Sequence, residues 1–197
     1  AAQIEAIVSA AHASGRRLLL TRLDEPNFTA LGEATRTLLD FDPLSRTAVL
    51  GGAVPLIDTG IGIVAAGTSD LPVAREAARA LAFCGHEASI IADVGVAGLW
   101  RLTSRIEEIR RFRIVIAVAG MEGALFSVLA GLVAAPVIAV PVSVGYGVAA
   151  GGRVALDAAL ASCSPGIVTV NIDNGFGAAA AVVKILGLVT STEHSRL

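Results

Sequence analysis

The sequence has few of the side chains on which disulfide and metal-ion chemistry depend. It has two cysteines, Cys84 and Cys163, and three histidines in 197 residues. Two cysteines are too few for a disulfide framework, and neither has the CxxC spacing or the histidine partners of a zinc site. We therefore expect the chain to work in a reducing cytoplasm.

Long hydrophobic runs and a signal peptide are also missing. The apolar runs are short and are interrupted by Gly, Asp or Arg, whereas a membrane span needs about 20 consecutive apolar residues. The chain opens at Ala1 inside an amphipathic pattern, without the basic and apolar regions of a signal peptide. We expect a trimmed start and no membrane partner.

Charge is scarce and balanced, whereas apolar residues are abundant. Fifteen basic and seventeen acidic residues give a net charge of −2 without long blocks of one sign. No nucleic-acid partner is expected, because binding a phosphate backbone needs a broad basic surface. Hydrophobic residues make up 54% of the chain and the mean hydropathy is +0.73. This excess predicts a homo-oligomer whose subunits cover the surplus apolar surface.

Three segments follow one another along the chain. The first, residues 1–58, mixes helical and strand-like patterns and predicts a small, truncated N-terminal α/β appendage. Its expected pieces are a helix ending near Gly15, the strand-like run LLLTR, a turn around DEPN, and strands near 36–41 and 46–50. The Gly-, Pro- and Asp-containing stretch GGAVPLIDTG marks a boundary. Residues 59–190 form the main domain, and residues 191–197 form a tail.

The main domain alternates short β-branched runs with alanine-rich helical stretches. The runs read IGIVAAG, EASIIAD, FRIVIAVAG, PVIAVPVS and GIVTVNID. Near-continuous apolar strands that alternate with helices are typical of a parallel sheet covered on both faces. The predicted fold class is α/β, a three-layer doubly wound parallel sheet of the flavodoxin type.

A polar, glycine-rich stretch follows each of the five predicted strands. These stretches read GTSD, DVGVAG, GMEGA, SVGYG and DNGFG. Ligands of open parallel sheets bind outside the carboxyl ends of the strands. The five loops therefore predict one large site along that edge. CSPG is the exception, because it precedes a strand.

Several side chains in these loops have a structural and a functional interpretation. Ser69 or Asp70 can cap a helix that has Pro72 in its first turn, and the same backbone N–H groups can hold a phosphate. Neither a dinucleotide GxGxxG fingerprint nor a P-loop is present. Tyr146, between two glycines, is suited to stacking on a flat ring or to packing at an interface.

Three carboxylates, Asp93, Glu122 and Asp173, stand at or just after strand ends. Each can bind ribose hydroxyls, a divalent cation or a transferred proton, although a lone loop carboxylate more often forms a turn or faces solvent. Because all three carboxylates lie at the same edge of the predicted sheet, a role in binding or catalysis is favoured over a purely structural one. The histidines, His12, His86 and His194, lie outside these loops, so acid–base chemistry by histidine is disfavoured.

The two cysteines carry different expectations. A free cysteine often fills tight apolar space, and this interpretation suits Cys84, on the last turn of a helix, better than Cys163. Cys163 is either such a filler or a nucleophile. If residues 150–162 form a crossover helix, Cys163 enters the sheet at the edge opposite the five loops, a strand length of roughly 17–20 Å away. Either an adjacent subunit then supplies the thiol, or the last strand departs from the parallel arrangement.

Five segments of the sequence, taken together, resemble the LarB family of nickel-pincer nucleotide biosynthesis. The segments are AGTSD, DVGVAG, AGMEGAL, PVIAVPVSVGYG and CSPGIVTVNIDNGFGA. The match covers about residues 58–186, with a weaker one around LLLTR and SRTAVLGG. LarB is itself similar to PurE, the carboxyaminoimidazole ribonucleotide mutase of purine synthesis, through GTSD and the PVIAVPVSVGYG region.

The resemblance implies a carboxylase/hydrolase acting on nicotinic acid adenine dinucleotide. CO2 is the co-substrate added to the pyridinium ring, and hydrolysis of the phosphoanhydride releases AMP and forms pyridinium-3,5-biscarboxylic acid mononucleotide. The resemblance implies no organic cofactor. A divalent cation such as Mg²⁺ would ease the hydrolysis by neutralising the charge that develops on the phosphates. The implied assembly is an octamer.

The resemblance also implies roles for single residues. Cys163 falls on the nucleophilic cysteine, with Glu122 or Asp173 as the base that removes a ring proton. Thr68, Ser69 and Asp70 fall on the phosphate and ribose segment shared with PurE. No metal ligand is assigned. The full set of candidate substrate-binding residues is Gly67, Thr68, Ser69, Asp70, Asp93, Arg101, Gly120, Ser143, Gly145, Tyr146 and Asn174.

Three positions separate the possible functions. Ala124 stands where PurE has its loop histidine, Trp100 where LarB usually has histidine before Arg101, and Phe126 where it usually has proline. The first difference disfavours a PurE-type mutase, which would lack its proton carrier. The alternatives to the LarB reaction are therefore that mutase and a non-catalytic nucleotide-binding module.

Overall fold

A computed structural model describes the backbone of residues 1–194 and the side chains of residues 1–188. The chain divides into two compact units, residues 1–55 and 56–197. The boundary expected near residue 58 lies within the first strand of the second unit, which begins at Ile57. Within the described residues, no helix is long and apolar enough to cross a membrane.

The first unit is a small antiparallel sheet with three helices. Its strands pair in the order β1-β3-β2 around a core that includes Val8, Leu31 and Ala48. The elements are α1 (Ala2–Ala13), β1 (Leu18–Leu20), α2 (Glu25–Thr29), α3 (Glu33–Arg36), β2 (Leu39–Asp42) and β3 (Thr47–Leu50).

Two local predictions in the first unit were wrong. The expected turn around DEPN is the start of α2, because the Asp24 side chain accepts a hydrogen bond of 2.9 Å from the Asn27 N–H and so caps a helical turn. The strand expected from residue 36 begins only at Leu39, because Glu33–Arg36 closes a single helical turn first.

The second unit is a parallel five-stranded sheet with helices on both faces, as predicted. The strand order is β5-β4-β6-β7-β8, and every adjacent pair is parallel. In chain order the elements are β4 (Ile57–Ala65), α4 (Leu71–Phe83), β5 (His86–Ile91), α5 (Leu99–Ser104), α6 (Ile106–Ile109), β6 (Ile114–Ala119), α7 (Ala124–Leu132), β7 (Val137–Pro141), α8 (Arg153–Leu160), β8 (Ile167–Thr169) and α9 (Gly175–His194).

Burial explains why the strand runs are apolar. Every residue of β6 and β7 is buried, since these strands are covered on both faces. One face packs in a single core cluster with residues of α5 to α8, including Leu102, Ile109 and Phe126. Helices α4 and α9 pack against each other, α4 against β4 and β5, and α9 against β7.

The last helix replaces part of the predicted tail. Residues 191–194 belong to α9, and residues 195–197 lie outside the described part of the chain. Strand β8 is parallel to β7, so the last strand does not depart from the parallel arrangement.

Candidate nucleotide-binding cleft

The five post-strand loops lie at one edge of the sheet, as predicted. The chain leaves β4 and crosses to β5 on one side, and later elements continue from β6 on the other side. The direction of winding therefore reverses between β4 and β6. Open α/β sheets bind ligands in the crevice that this reversal creates.

A cleft of about 480 Å³ opens at this point. Nine of the residues predicted from the sequence line it: Gly67, Ser69, Asp70, Asp93, Arg101, Gly120, Glu122, Gly145 and Tyr146. Its volume falls in the usual range of small-molecule sites, about 300–1,000 Å³. The loops after β4, β5, β6 and β7 all contribute walls.

Asp70 is a buried acid in the wall of this cleft. Its side chain is 4% exposed, and its Oδ2 accepts a hydrogen bond of 2.8 Å from the Gly67 N–H. Burial raises the pKa of the Asp70 carboxyl above its ordinary value, and the Gly67 hydrogen bond partly offsets that rise. Asp70 therefore fixes the turn that carries Thr68 and Ser69.

The turn leads directly into α4. Asp70 occupies the N-cap position and Pro72 lies in the first turn, as predicted, but the Asp70 side chain bonds backward to Gly67 instead of forward to the helix. The first N–H groups of a helix have no partner within it. Here, however, the Asp70 N–H bonds the Gly67 carbonyl, the Leu71 N–H bonds the Thr68 carbonyl, and Pro72 has no N–H. The exposed Ser69, in the turn before α4, is the polar side chain that this segment places at the cleft.

Asp93 and Arg101 form an ion pair at the cleft. The Arg101 guanidinium donates a hydrogen bond to Asp93 Oδ1, and the two side chains are 29% and 54% exposed. An exposed pair of this kind contributes little to stability. The guanidinium is thus held at the wall of the cleft, where it can exchange its carboxylate partner for a phosphate.

Glu122 is an exposed carboxylate of the cleft. Unlike Asp70 and Asp93, it has no hydrogen bond or ion pair with the residues that the structure describes. It can therefore accept a proton from a bound ligand without first losing a protein contact.

Three of these loops contain a non-glycine residue in the left-handed conformation. Asp93 follows β5 with φ of 59°, Met121 follows β6 with φ of 48°, and Asp173 follows β8 with φ of 55°. Such backbone is uncommon outside glycine and concentrates at functional sites. It turns each loop sharply at the carboxyl end of its strand.

Glycines let neighbouring loops approach each other closely. A β-carbon on Gly95 would lie 2.8 Å from the carbonyl oxygen of Ala66, and one on Gly145 would lie 2.6 Å from that of Ala149. Gly95 also donates a 2.7 Å hydrogen bond to the Ala66 carbonyl. A side chain at Gly95 would separate the loops after β4 and β5, and one at Gly145 would clash inside the loop after β7. Either change would alter the shape of the cleft.

Asp173 and Asn174 lie at the same edge but do not line the cleft. Asp173 Oδ1 accepts a 2.8 Å hydrogen bond from the Ser143 N–H, which ties the loop after β8 to the loop after β7. Asn174 Oδ1 accepts a 2.8 Å bond from the Gly177 N–H at the start of α9. Within one chain both side chains support the loops. Thr68 and Ser143 are also outside the lining and exposed.

Two exposed aromatic side chains flank the cleft. Tyr146 lines it and is 77% exposed, and Trp100, next to Arg101 on α5, is 72% exposed. Phe126, by contrast, is fully buried in the core below. Both exposed rings are available to stack on a flat ligand or on another protein surface.

Neither cysteine is buried. Cys84 is exposed at the end of α4, so the prediction that it fills apolar space was wrong. Cys163 is exposed in the connection between α8 and β8, at the amino end of β8 and outside the cleft lining. It precedes the last strand, as predicted, but β8 has only three residues, so the expected separation of roughly 17–20 Å from the loops does not follow from the strand length.

Among the side chains that the structure describes, no histidine lines the cleft. His12 lies on α1, and His86 begins β5 at the other edge of the sheet. In the same part of the chain, no three His, Cys, Asp or Glu side chains are grouped so that they could hold a metal ion. The divalent cation stays a prediction.

Several lining residues were not predicted. They are Ala66, Gly95, Val96, Ala97, Ala119, Met121, Gly123, Ala124, Leu125 and Val144. Most are small or apolar, so residue type gave no signal. Gly95 and Val96 belong to the predicted post-strand loop DVGVAG. Their position in such a loop, and not their residue type, is the signal that could have identified them.

Comparisons with known proteins agree on one family. The sequence profile of AIR carboxylase matches residues 60–197. An uncharacterized protein of Methanocaldococcus jannaschii is 49% identical over 131 residues, which is 64% of this chain and 50% of that protein. The chain thus spans half of the length of this relative. The N5-carboxyaminoimidazole ribonucleotide mutase of the same organism is 37% identical over 135 residues, which is 65% of this chain and 79% of the mutase.

Proposed function

Because the chain belongs to the AIR carboxylase family, we propose that it is a LarB-type carboxylase/hydrolase of nicotinic acid adenine dinucleotide. It adds CO2 to the pyridinium ring and hydrolyses the phosphoanhydride. The products are AMP and pyridinium-3,5-biscarboxylic acid mononucleotide, the precursor of the nickel-pincer cofactor. A cytoplasmic location is part of the proposal.

One observation carries the choice within the family. Among the described side chains, the cleft is lined by Asp70, Asp93, Glu122 and Arg101 but by no imidazole. Ala124, which by the resemblance stands where a PurE mutase has its histidine, also lines it. A mutase needs a proton carrier for its substrate. A carboxylation driven by a thiolate and a carboxylate does not need the imidazole.

The substrate is bound through its phosphates, a ribose and a ring. The Ser69 hydroxyl, in the turn before α4, and the Arg101 guanidinium take the phosphates. The segment from Gly67 to Asp70 takes a ribose, and Tyr146 stacks on a flat ring. Ser69, Arg101 and Tyr146 come from the segments that follow three different strands, and all three line the cleft.

Carboxylation requires a nucleophile because a pyridinium ring is too electron-poor to attack CO2. The Cys163 thiolate adds to a ring carbon, and the electron pair of the broken C=C π bond neutralises the nitrogen and leaves an enamine. The adjacent enamine carbon forms a bond to CO2 and restores the cationic nitrogen. A base then removes the proton from that carbon, the C–S bond breaks, and the thiolate leaves as aromaticity returns. The net change is replacement of one ring proton by a carboxylate.

Glu122 is the better placed of the two candidate bases. It lines the cleft with no protein partner among the described residues, whereas Asp173 already accepts the Ser143 N–H and does not line the cleft. Glu122 therefore takes the ring proton, and Asp173 holds the loop after β7 in place.

We propose that a second subunit brings Cys163 to the cleft. The thiol is exposed at the opposite edge of the sheet from its own loops, and β8 is parallel to β7. We assign Cys163 to the cleft of an adjacent subunit in a homo-oligomer, with an octamer as the implied size. This arrangement is also consistent with the exposed apolar side chains Val148, Leu160 and Leu188.

Phosphoanhydride hydrolysis needs fewer protein groups than the carboxylation, because no covalent intermediate with the protein is formed. Water attacks phosphorus, the P–O–P bridge breaks, and AMP leaves as the second product. The Arg101 guanidinium stabilises the charge that develops on the phosphate oxygens. No step is assigned to a cation held by protein side chains.

Two other functions remain as alternatives. The 37% identity to the M. jannaschii mutase favours a PurE-type reaction, although no histidine among residues 1–188 lines the cleft. A nucleotide-binding module without turnover is the second alternative, suggested by Trp100 at the usual histidine position.

One assay separates the three. The full chain is mixed with nicotinic acid adenine dinucleotide and bicarbonate, with and without Mg²⁺, and AMP release and a mass gain of one carboxyl group are followed. Both products are expected. A parallel mixture contains carboxyaminoimidazole ribonucleotide in place of the dinucleotide. Turnover only in that mixture would establish the mutase, and binding without any product would establish the module.

The nucleophile is tested by exchanging each cysteine. Cys163→Ser should abolish carboxylation while nucleotide binding survives, because the hydroxyl is nearly the same size but is a poor nucleophile and leaving group. Cys84→Ser is the matched control, since Cys84 is also exposed, and it should retain activity. Carboxylation at the wild-type rate by Cys163→Ser would remove the thiol from the mechanism.

A further inference from the structure

Three serines attach the segment around Cys163 to α7. The Ser127 and Ser162 hydroxyls are 2.7 Å apart and hydrogen-bonded. The Ser164 hydroxyl donates to the Ser127 carbonyl oxygen at 2.9 Å, and the Ser164 N–H donates to the Ser162 hydroxyl at 3.2 Å. All three bonds are partly buried, so both neighbours of Cys163 are fixed to one helix.

The same helix carries the wall of the cleft. α7 begins at Ala124, which lines the cleft, and the loop before it holds Glu122. Ser127 lies three residues after Ala124, about 4.5 Å along the helix axis. The serine bonds therefore fix the Cys163 segment to a helix that itself begins at the cleft of the same subunit.

The attachment leaves the thiol itself free. Ser162 and Ser164 bond toward α7, while Cys163 between them is exposed. A connection between a helix and a short strand is ordinarily mobile. Here two anchor points on a helix restrict the backbone on both sides of the cysteine.

We propose that Ser127, Ser162 and Ser164 are positioning residues that hold the Cys163 thiol in the geometry needed to attack the pyridinium ring. This inference rests on the proposed function. Covalent catalysis depends on a nucleophile held close to its attack geometry, and a displacement of about 1 Å can lower the rate about 100-fold. Supports on a helix hold a site more closely than supports on a loop.

Ser127→Ala removes the central hydroxyl of the cluster. The kcat for carboxylation should fall by at least about 10-fold, while the KM for nicotinic acid adenine dinucleotide stays within about twofold of wild type. Amide hydrogen exchange of residues 161–166 should become faster, since one anchor is lost. Ser127→Thr keeps a hydroxyl and should restore both values.

Two further variants make the test specific. Ser164→Ala removes the hydrogen bond from the Ser164 hydroxyl to the Ser127 carbonyl. It should also lower kcat and speed the exchange of residues 161–166. This variant keeps the test valid if Ser127→Ala fails to fold. Ser14→Ala is the matched control, because the Ser14 hydroxyl also bonds helix carbonyls, at 2.9 Å and 3.1 Å, but on α1. It should change neither kcat nor exchange of residues 161–166.

The outcomes are distinguishable. Loss of kcat at constant KM, with faster exchange and rescue by threonine, supports the inference. A wild-type kcat in Ser127→Ala or Ser164→Ala, or a parallel change in kcat and KM, overturns it while the proposed function stands. Absence of turnover in the wild-type chain, or full turnover in Cys163→Ser, overturns the proposed function and this inference together.

Discussion

Gly120 and Val144 bring the loops after β6 and β7 into direct contact. A β-carbon on Gly120 would lie 2.1 Å from the Val144 carbonyl oxygen, and the two residues line the cleft together. The contact is between backbones, so no change of side-chain rotamer can relieve an added methyl group. The shape of the cleft therefore depends on the absence of a side chain at residue 120.

Gly120→Ala should disturb both stability and nucleotide binding. Overpacking of this kind typically lowers the free energy of unfolding by about 1–3 kcal/mol. Urea denaturation and nucleotide titration would measure the two effects. Gly131→Ala is the control, because a β-carbon there meets nothing within 4 Å and glycine inside a helix is unfavourable. Equal effects of the two variants would contradict the prediction.

Arg101→Ala should weaken the binding of AMP and of the dinucleotide. Hydrogen bonds to charged groups contribute about 1.5–3 kcal/mol, so the dissociation constant should rise about 10-fold or more. Its dependence on ionic strength should also become weaker, because a charge that meets the phosphate is gone. Arg153→Ala is the matched control. Arg153 Nε lies 2.9 Å from Asp157 Oδ1 in an exposed ion pair, and neither residue lines the cleft. An unchanged affinity in Arg101→Ala would contradict the assignment.

Asp70 should make stability depend on pH. Burial raises the pKa of its carboxyl in the folded chain above the ordinary value of 3.8, so the folded chain holds the proton to higher pH than the unfolded chain. The stabilising contribution of the protonated form is complete below pH 3.8 and is lost as pH rises through the folded-state pKa. The free energy of unfolding of wild type relative to Asp70→Asn should therefore decline across that window. A difference that grows with pH would contradict this direction.

The chain should associate in solution. Val148, Leu160 and Leu188 are 93%, 67% and 71% exposed, and we expect an oligomer that also covers alanine-rich helix faces of the region between residues 60 and 190. Light scattering at micromolar concentration should give a multiple of the subunit mass, and Leu160→Asp should shift it toward smaller species. A stable wild-type monomer would contradict both the assembly and the supply of Cys163 to a neighbouring cleft.

The sheet was predictable because its pattern and its burial coincide. Strands such as β6 and β7 are buried along their whole length, so an unbroken apolar run identifies them. The short helix α2 was missed, because Asp24 and Pro26 suit both a turn and a helix start. One side-chain hydrogen bond decides between the two, and its presence cannot be read from local sequence.

The site was predictable in position but not in detail. The edge of the sheet and most of the polar lining follow from loops that come after strands. The hydrogen bond from Ser143 to Asp173 joins residues thirty positions apart, and no local pattern predicts it. Asp70 was expected to contact ribose from an open loop, yet its side chain is 4% exposed and supports the turn. The Asp70→Ala change should therefore disturb the turn as well as any ligand.

The left-handed backbone at Asp93, Met121 and Asp173 has a consequence for attempts to make the protein thermostable. Left-handed conformations cost non-glycine residues about 1–2 kcal/mol, so a screen that selects only for heat resistance would favour glycine at Met121. That exchange would loosen the loop that carries Glu122, and a gain in melting temperature would coincide with slower turnover. Stabilising substitutions should be sought in the helices and away from the carboxyl edge of the sheet.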